Sequence, residues 1–149
     1  MKTMTIEEKE ANIIAEFENF DDWLEKYNYL IEMGKDLPMI DAKYKTTSNL
    51  MTGCPSNVWL QGEYDNGKVV FTADSDAVIT KGIVNLLIRV LSGHTTNEII
   101  DAQLGFVDKI GLKEHLSPTR SNGLVSMIKQ MKLYALAFKT KYENQEANK

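Results

Sequence analysis

Apolar and polar positions along the chain alternate between helical spacing, strand spacing and no period at all. Thr5, with Glu8 three residues on, reads as a capping-box start for a first helix whose apolar side carries Ile6, Ile13, Ile14 and Phe17. Asp21 or Asp22 can cap a second helix bearing Trp23, Leu24, Tyr27, Leu30 and Ile31, with Gly34 as its stop. Residues 35–50 have no period and contain Pro38, which predicts an irregular linker. The period then shortens. Val58–Tyr64 and Lys68–Ala73 are rich in strand formers, and Asp65-Asn66-Gly67 between them is a hairpin turn. The stretch Thr46–Thr52 is expected to add a third strand, placing Cys54 at a turn between strands.

Helical spacing returns after Asp74-Ser75-Asp76, which offers caps. Residues 77–92 are apolar almost all round, the pattern of a central core helix, and Gly93 ends it. Thr95 and Glu98 form a second capping box, opening a short helix. Another short helix is expected over Phe106–Ile110, stopping near Gly111. His115 to Gly123 reads as a loop, followed by a last amphipathic helix with Leu124, Ile128, Met131, Ala135 and Phe138. The fold class is α+β: a small antiparallel β-sheet of about three strands with helices packed on it. Residues 1–142 are expected to form one domain. The polar run 143–149 has too few apolar groups to pack and is expected to be a disordered tail.

Composition narrows the function classes. The chain has 149 residues, enough to bury roughly 70% of the surface its unfolded form exposes without help from a disulfide or metal. Net charge is −4, and no basic stripe with interleaved aromatics is present, so no nucleic-acid partner is expected. No apolar run approaches the ~20 residues of a membrane span. The acidic, helical start lacks the pattern of a signal peptide, so a cytoplasmic protein is expected. The single cysteine excludes an internal disulfide and any metal or cluster site built from several cysteines of one chain.

That cysteine, Cys54, is the strongest chemical candidate. It lies in Met51-Thr-Gly-Cys-Pro-Ser-Asn57, a turn composition. A lone cysteine is commonly a small buried hydrophobe. Here Thr52, Ser56, Asn57 and the loop amides are positioned in sequence to donate hydrogen bonds to a sulfur anion. Lowering a thiol pKa from about 8.5 by ~1.5 units requires about 2 kcal/mol of preference for the anion. A few charge-assisted hydrogen bonds or a nearby cation supply that much. A cysteine hydrolase would also need a paired histidine. His94 reads as a capping or surface residue and His115 as structural, so no triad is visible.

Several short motifs, in order and at compatible spacing, resemble the SufE/CsdE family of sulfur-acceptor proteins, whose fold is SufE/IscU-like. They are Tyr29-Leu-Ile-Glu-Met-Gly34 with Leu37-Pro38, Gly53-Cys54 with Ser56-Asn57-Val58-Trp59, Asp74-Ser-Asp-Ala77 with Lys81-Gly82, and His115-Leu-Ser-Pro118 with Arg120 and Gly123. The likeness runs from about Phe20 to Lys139. It implies that Cys54 accepts sulfur as a persulfide from a SufS/CsdA-type cysteine desulfurase, stimulates that enzyme, and delivers the sulfur towards a downstream iron–sulfur scaffold. The chain is then an activator with a covalent intermediate rather than a stand-alone enzyme. It binds no cofactor itself, and pyridoxal phosphate is expected on the partner. The resemblance also implies loop or partner roles for Gly53, Ser56, Asn57, Asp76 and Arg120. Pro55 departs from the family, where Gln or Glu is usual, and removes an amide donor beside the sulfur. Three other readings stay open: a cluster scaffold, which usually needs three cysteines; a stand-alone cysteine enzyme; and a binding module with an inert cysteine.

Overall fold

The computed structural model describes residues 4–51 and 57–143. The expected tail from 144 onward lies outside them, as do Gly53, Cys54, Pro55 and Ser56. Thr5 caps α1 (Ile6–Glu18) through a complete capping box with Glu8, and Asp22 caps α2 (Trp23–Gly34) by accepting from the Glu25 N–H at 2.9 Å. Two 3-10 turns, Ala42–Tyr44 and Thr47–Asn49, punctuate the linker. Strands β1 (Val58–Asp65) and β2 (Lys68–Ser75) pair antiparallel from Val58↔Ser75 to Asp65↔Lys68. Asn66 and Gly67 at the hairpin tip both have positive φ, 50° and 83°. This is the backbone that Asn-Gly adopts to match the twist of paired strands.

The chain continues through α3 (Val78–Leu91), β3 (His94–Thr95), α4 (Thr96–Asp101), α5 (Phe106–Lys109), α6 (Leu112–His115) and α7 (Pro118–Phe138), followed by a π-helical turn, Lys139–Glu143. The sheet order is β1-β2-β3. α3 is central, burying Ile83, Val84, Leu86, Leu87, Ile88, Val90 and Leu91 against the sheet and α2. α3 meets α2 through Gly82 and Gly34, which carry no side chain to hold the backbones apart. Among the described residues no helix is long and apolar enough to cross a membrane. Glu143 accepts hydrogen bonds from Thr96 Oγ1 at 2.7 Å and Tyr64 OH at 3.3 Å.

Four expectations are corrected. The third strand is not Thr46–Thr52, where a 3-10 turn and a single bridge between Leu50 and Trp59 stand. It is His94–Thr95, brought beside Lys68–Val69 when Gly93 reverses the chain at φ 82°. The last helix begins earlier than its apolar period suggested: Ser117 is the N-cap and Pro118 the first helical residue, where a missing N–H costs nothing. Gly34 closes α2 without a left-handed φ, so its small size serves packing against α3.

The fourth correction is His94, which is buried at 3% exposure. Its Nδ1 lies 3.4 Å from Glu98, and its Nε2 has no partner among the described residues. Burial, then the charges of Lys9 and Lys68, depress its pKa against the opposing pull of Glu98. The folded state therefore favours neutral His94. Lowering the pH below the unfolded value of about 6.5 protonates the unfolded chain first and reduces stability. The depressed carboxylates Glu16, Asp74 and Glu98 titrate in a more acidic range. Urea unfolding between pH 7 and 5 is expected to show a stability loss that His94→Gln removes; parallel pH curves for the two proteins would disprove it.

Candidate functional site

The cysteine loop is joined at both ends to the open end of the β1–β2 hairpin. At its incoming end, the Met51 N–H donates to the Val58 carbonyl at 2.8 Å, beside the Leu50–Trp59 bridge. At its outgoing end, Asn57 is tied to the end of β2. The Asn57 backbone N–H donates to Asp76 Oδ1 at 3.2 Å, its side-chain amide donates to Asp76 Oδ2 at 2.9 Å, and the Asp76 N–H returns a bond to the Asn57 carbonyl at 3.3 Å. Ser75 Oγ donates to that same carbonyl at 2.8 Å and accepts from the Ala77 N–H at 3.2 Å. Asp76 and Asn57 are thus brought together, nineteen positions apart in sequence. The role of Asp76 is not helix capping: Ala77 is the N-cap of α3, with no side-chain cap bond.

Asp76 takes the Asn57 backbone N–H and one of its two side-chain N–H groups. Asn57 thus braces the loop's exit.

Beside this pair lies a second carboxylate. Asp74 is buried and accepts from Lys45 Nζ at 2.7 Å and from the Ser75 N–H at 2.8 Å, with Lys81 Nζ at 3.5 Å. Burial pushes its pKa up, but the hydrogen bonds from Lys45 and Ser75 and the two lysine charges outweigh this and hold it below its ordinary value. The Lys45 ammonium also sits 4.7 Å from the centre of the half-buried Trp59 ring. Trp59 and Asp74 are register partners across β1 and β2, so one cation spans both strands. Lys45, Lys81, Asp74 and Asp76 carry two charges of each sign. The frame therefore fixes position and contributes no net positive charge towards stabilising a thiolate.

Arg120 is exposed in the first turn of α7, where its N–H donates to Ser117 Oγ at 3.3 Å. Among the described residues no bond joins its side chain to the Asn57–Asp76 pair. His115 stacks on Trp23 with ring centres 4.0 Å apart, and its Nδ1 lies 3.0 Å from the Gly111 carbonyl. Its own carbonyl accepts from Tyr27 OH. Those contacts fit a structural histidine. A cleft of about 690 Å³ beside α2 and α3 is lined by Glu16, Tyr29, Asn85 and Arg89, with Arg89 paired to both Glu16 carboxylate oxygens. It holds neither loop end. Among the described residues no three His, Cys, Asp or Glu side chains converge as metal ligands.

Lys45 is the site residue that sequence reasoning missed. It sits in the unpatterned linker, and its partner is twenty-nine positions away. Asp74 and Ser75 read in the sequence only as candidate helix caps, and Lys81 as part of a quoted motif with no assigned task.

Comparison with known proteins matches residues 11–135 to the SufE family profile, described as an Fe-S metabolism associated domain. The chain is 38% identical over 141 residues to SufE-like protein 1, chloroplastic/mitochondrial, of Arabidopsis thaliana; the match covers 94% of this chain and 38% of that protein. It is 42% identical over 126 residues to an uncharacterized SufE-like protein of Rhizobium meliloti, covering 80% of this chain and 89% of the relative. An uncharacterized SufE-like protein of Synechocystis is 35% identical over 138 residues, with 93% and 87% covered. The solution structure of a hypothetical protein from Thermus thermophilus superposes with a TM-score of 0.74 at 19% identity, covering 89% of this chain and 96% of that one. That likeness speaks for the fold.

Proposed function

The chain belongs to the SufE family, associated with Fe–S metabolism, and from that premise we propose that it is a sulfur acceptor whose Cys54 takes persulfide sulfur from a cysteine desulfurase. The carrying observation is the agreement between the family match, which spans the only cysteine, and a frame built around the loop that bears it. Asn57 is held by Asp76 and Ser75 on one side, and Met51 is paired to Val58 on the other. A carrier needs this combination: a reactive sulfur on a loop, delivered from a rigid base.

The transfer follows thiol–disulfide exchange. The Cys54 thiolate attacks the outer sulfur of the desulfurase persulfide. A new S–S bond forms at Cys54, the old S–S bond breaks, and its electron pair leaves on the desulfurase thiolate. The outer sulfur carries its proton across, so no external oxidant or reductant is consumed. The pyridoxal phosphate that cleaves the C–S bond of free cysteine belongs to the partner. A downstream iron–sulfur scaffold is the recipient.

The test is direct. The chain is mixed with a SufS/CsdA-type desulfurase and free cysteine, and its mass is read before and after reduction. The expected result is a peptide containing Cys54 heavier by one or more sulfur atoms, restored by reductant. An unchanged mass in the presence of an active desulfurase overturns the proposal.

A further inference from the structure

We infer that Lys45 is a positioning residue for sulfur acceptance, fastening the segment that leads into the cysteine loop to the end of the sheet through Asp74 and Trp59. The inference rests on the sulfur-acceptor reading above and deepens it. Residues 41–51 form a strap. The strap starts from Ile40, whose N–H donates to the Ala73 carbonyl of β2 at 3.1 Å, and ends at Leu50 and Met51, paired with β1. It therefore crosses from one edge of the β1–β2 ladder to the other and hands the chain to the cysteine loop.

No residue of this strap is buried. Met51 at its far end packs partly buried against the core, and ahead of it the attachment of the strap depends on polar contacts. Within the strap, the 3-10 turns satisfy themselves: the Tyr44 N–H donates to Asp41 O at 2.9 Å and the Lys45 N–H to Ala42 O at 3.1 Å. Across to the rest of the fold, Asn49 meets Tyr134 OH at 3.2 Å near its far end. At its middle stands Lys45, whose ammonium reaches the facing pair Asp74 and Trp59.

The two loop ends are thus held from one tripeptide, Asp74-Ser75-Asp76. Asp76 and Ser75 hold the exit directly at Asn57. Asp74 steadies the entrance indirectly, through Lys45 and the strap. In-line attack on a partner's persulfide is sensitive to placement, and an error of about 1 Å in a reacting group can cost 10²-fold in rate. A loose strap leaves docking intact and degrades the delivery of the sulfur. Lys45 is the residue to change, because Asp74 keeps the Ser75 N–H and Lys81 when Lys45 is neutralised.

Lys45→Met keeps the apolar stem and removes the charge. A part-buried ion pair and a cation–π contact together are worth about tenfold in a local opening equilibrium. The expected result is about tenfold faster hydrogen exchange at the Tyr44, Lys45, Asn49 and Leu50 amides, with β1 and β2 amides unchanged. In the desulfurase assay, kcat for sulfur acceptance falls about tenfold while KM for the chain stays within about twofold. Lys45→Arg, which keeps the charge and stacks on an aromatic face, restores both to within about threefold of wild type. Wild-type exchange in Lys45→Met overturns the fastening. Faster exchange with unchanged kcat, or a change confined to KM, overturns the positioning role. The exchange arm uses the chain alone. Failure of wild type to take up any sulfur therefore falls on the acceptor reading and is read separately from the fastening.

Discussion

Cys54→Ser is expected to reduce desulfurase stimulation to the level seen with no acceptor present, and to carry no added sulfur under conditions that label wild type. The size of the effect follows from the chemistry of the attacking group. A cysteine with an ordinary pKa near 8.5 is already a few per cent thiolate at pH 7 and is intrinsically very nucleophilic. A serine hydroxyl offers no comparable anion, and an oxygen–sulfur product would not be the persulfide that the next recipient attacks. No second thiol exists in the chain to take over, because Cys54 is its only cysteine. The frame described above offers no substitute thiol: Asp76 bonds to Asn57, and Lys45 to Asp74. Desulfurase turnover with free cysteine, measured with increasing amounts of each protein, gives the answer, with urea unfolding of the variant run beside it. Stimulation by Cys54→Ser equal to that of wild type would mean that the chain acts on the desulfurase by binding alone. An undiminished mass shift would mean that the sulfur goes elsewhere.

Local chemistry explains which parts of this architecture could be read from the chain. Thr5 with Glu8 and Thr95 with Glu98 are capping boxes in the sequence and in the structure, because both partners of each bond lie within one turn. Asp65-Asn66-Gly67 is legible for the same reason: the turn needs positive φ at two adjacent positions, and Asn and Gly accept it. The cysteine was legible through composition and motif. The frame around it was not. The Asp76–Asn57 and Lys45–Asp74 bonds span nineteen and twenty-nine positions; the hairpin turn marks which strands pair, but nothing local marks which side chains meet at its open end. The resemblance pointed to Asp76 for a loop or partner role, and in the structure its carboxylate bonds to Asn57. It pointed to Arg120 as well, but that side chain makes no bond to the pair among the described residues. His94 was misread because its polarity argues for the surface, whereas pairing with Val69 draws it inside. The early start of α7 had a signal in Ser117-Pro118, a cap followed by a residue suited to the first turn, which apolar periodicity overrode.

Gly82→Ala separates two opposite expectations for the helix that carries the core. Read from propensity alone, replacing glycine by alanine inside α3 should stabilise the protein by about 1 kcal/mol. The packing predicts the reverse. A methyl group on Gly82 would stand 2.1 Å from the Leu30 carbonyl oxygen and 2.7 Å from its carbon. Both atoms are backbone, so no rotamer change relieves the overlap, and α2 must move away from α3. Gly34 makes the crossing tighter still, since a Cβ there would meet Gly82 N and Lys81 Cβ at 2.9 Å. Separating the helices would disturb Leu30, Met33 and Leu86 in the core and the bond from buried Asn85 to the Met33 carbonyl at 2.6 Å. The net cost is expected to be about 3 kcal/mol, within the range for forced overpacking and a large share of the 5–15 kcal/mol typical of a folded domain. In a chain of this size that is a fall of roughly 10 °C in Tm. Urea unfolding of Gly82→Ala beside wild type decides between the two. A raised midpoint would mean that the helices do not cross at Gly82 as closely as 2.1 Å implies. A lowered one fits a close crossing at Gly82, whose preceding residue, Lys81, is a partner of Asp74.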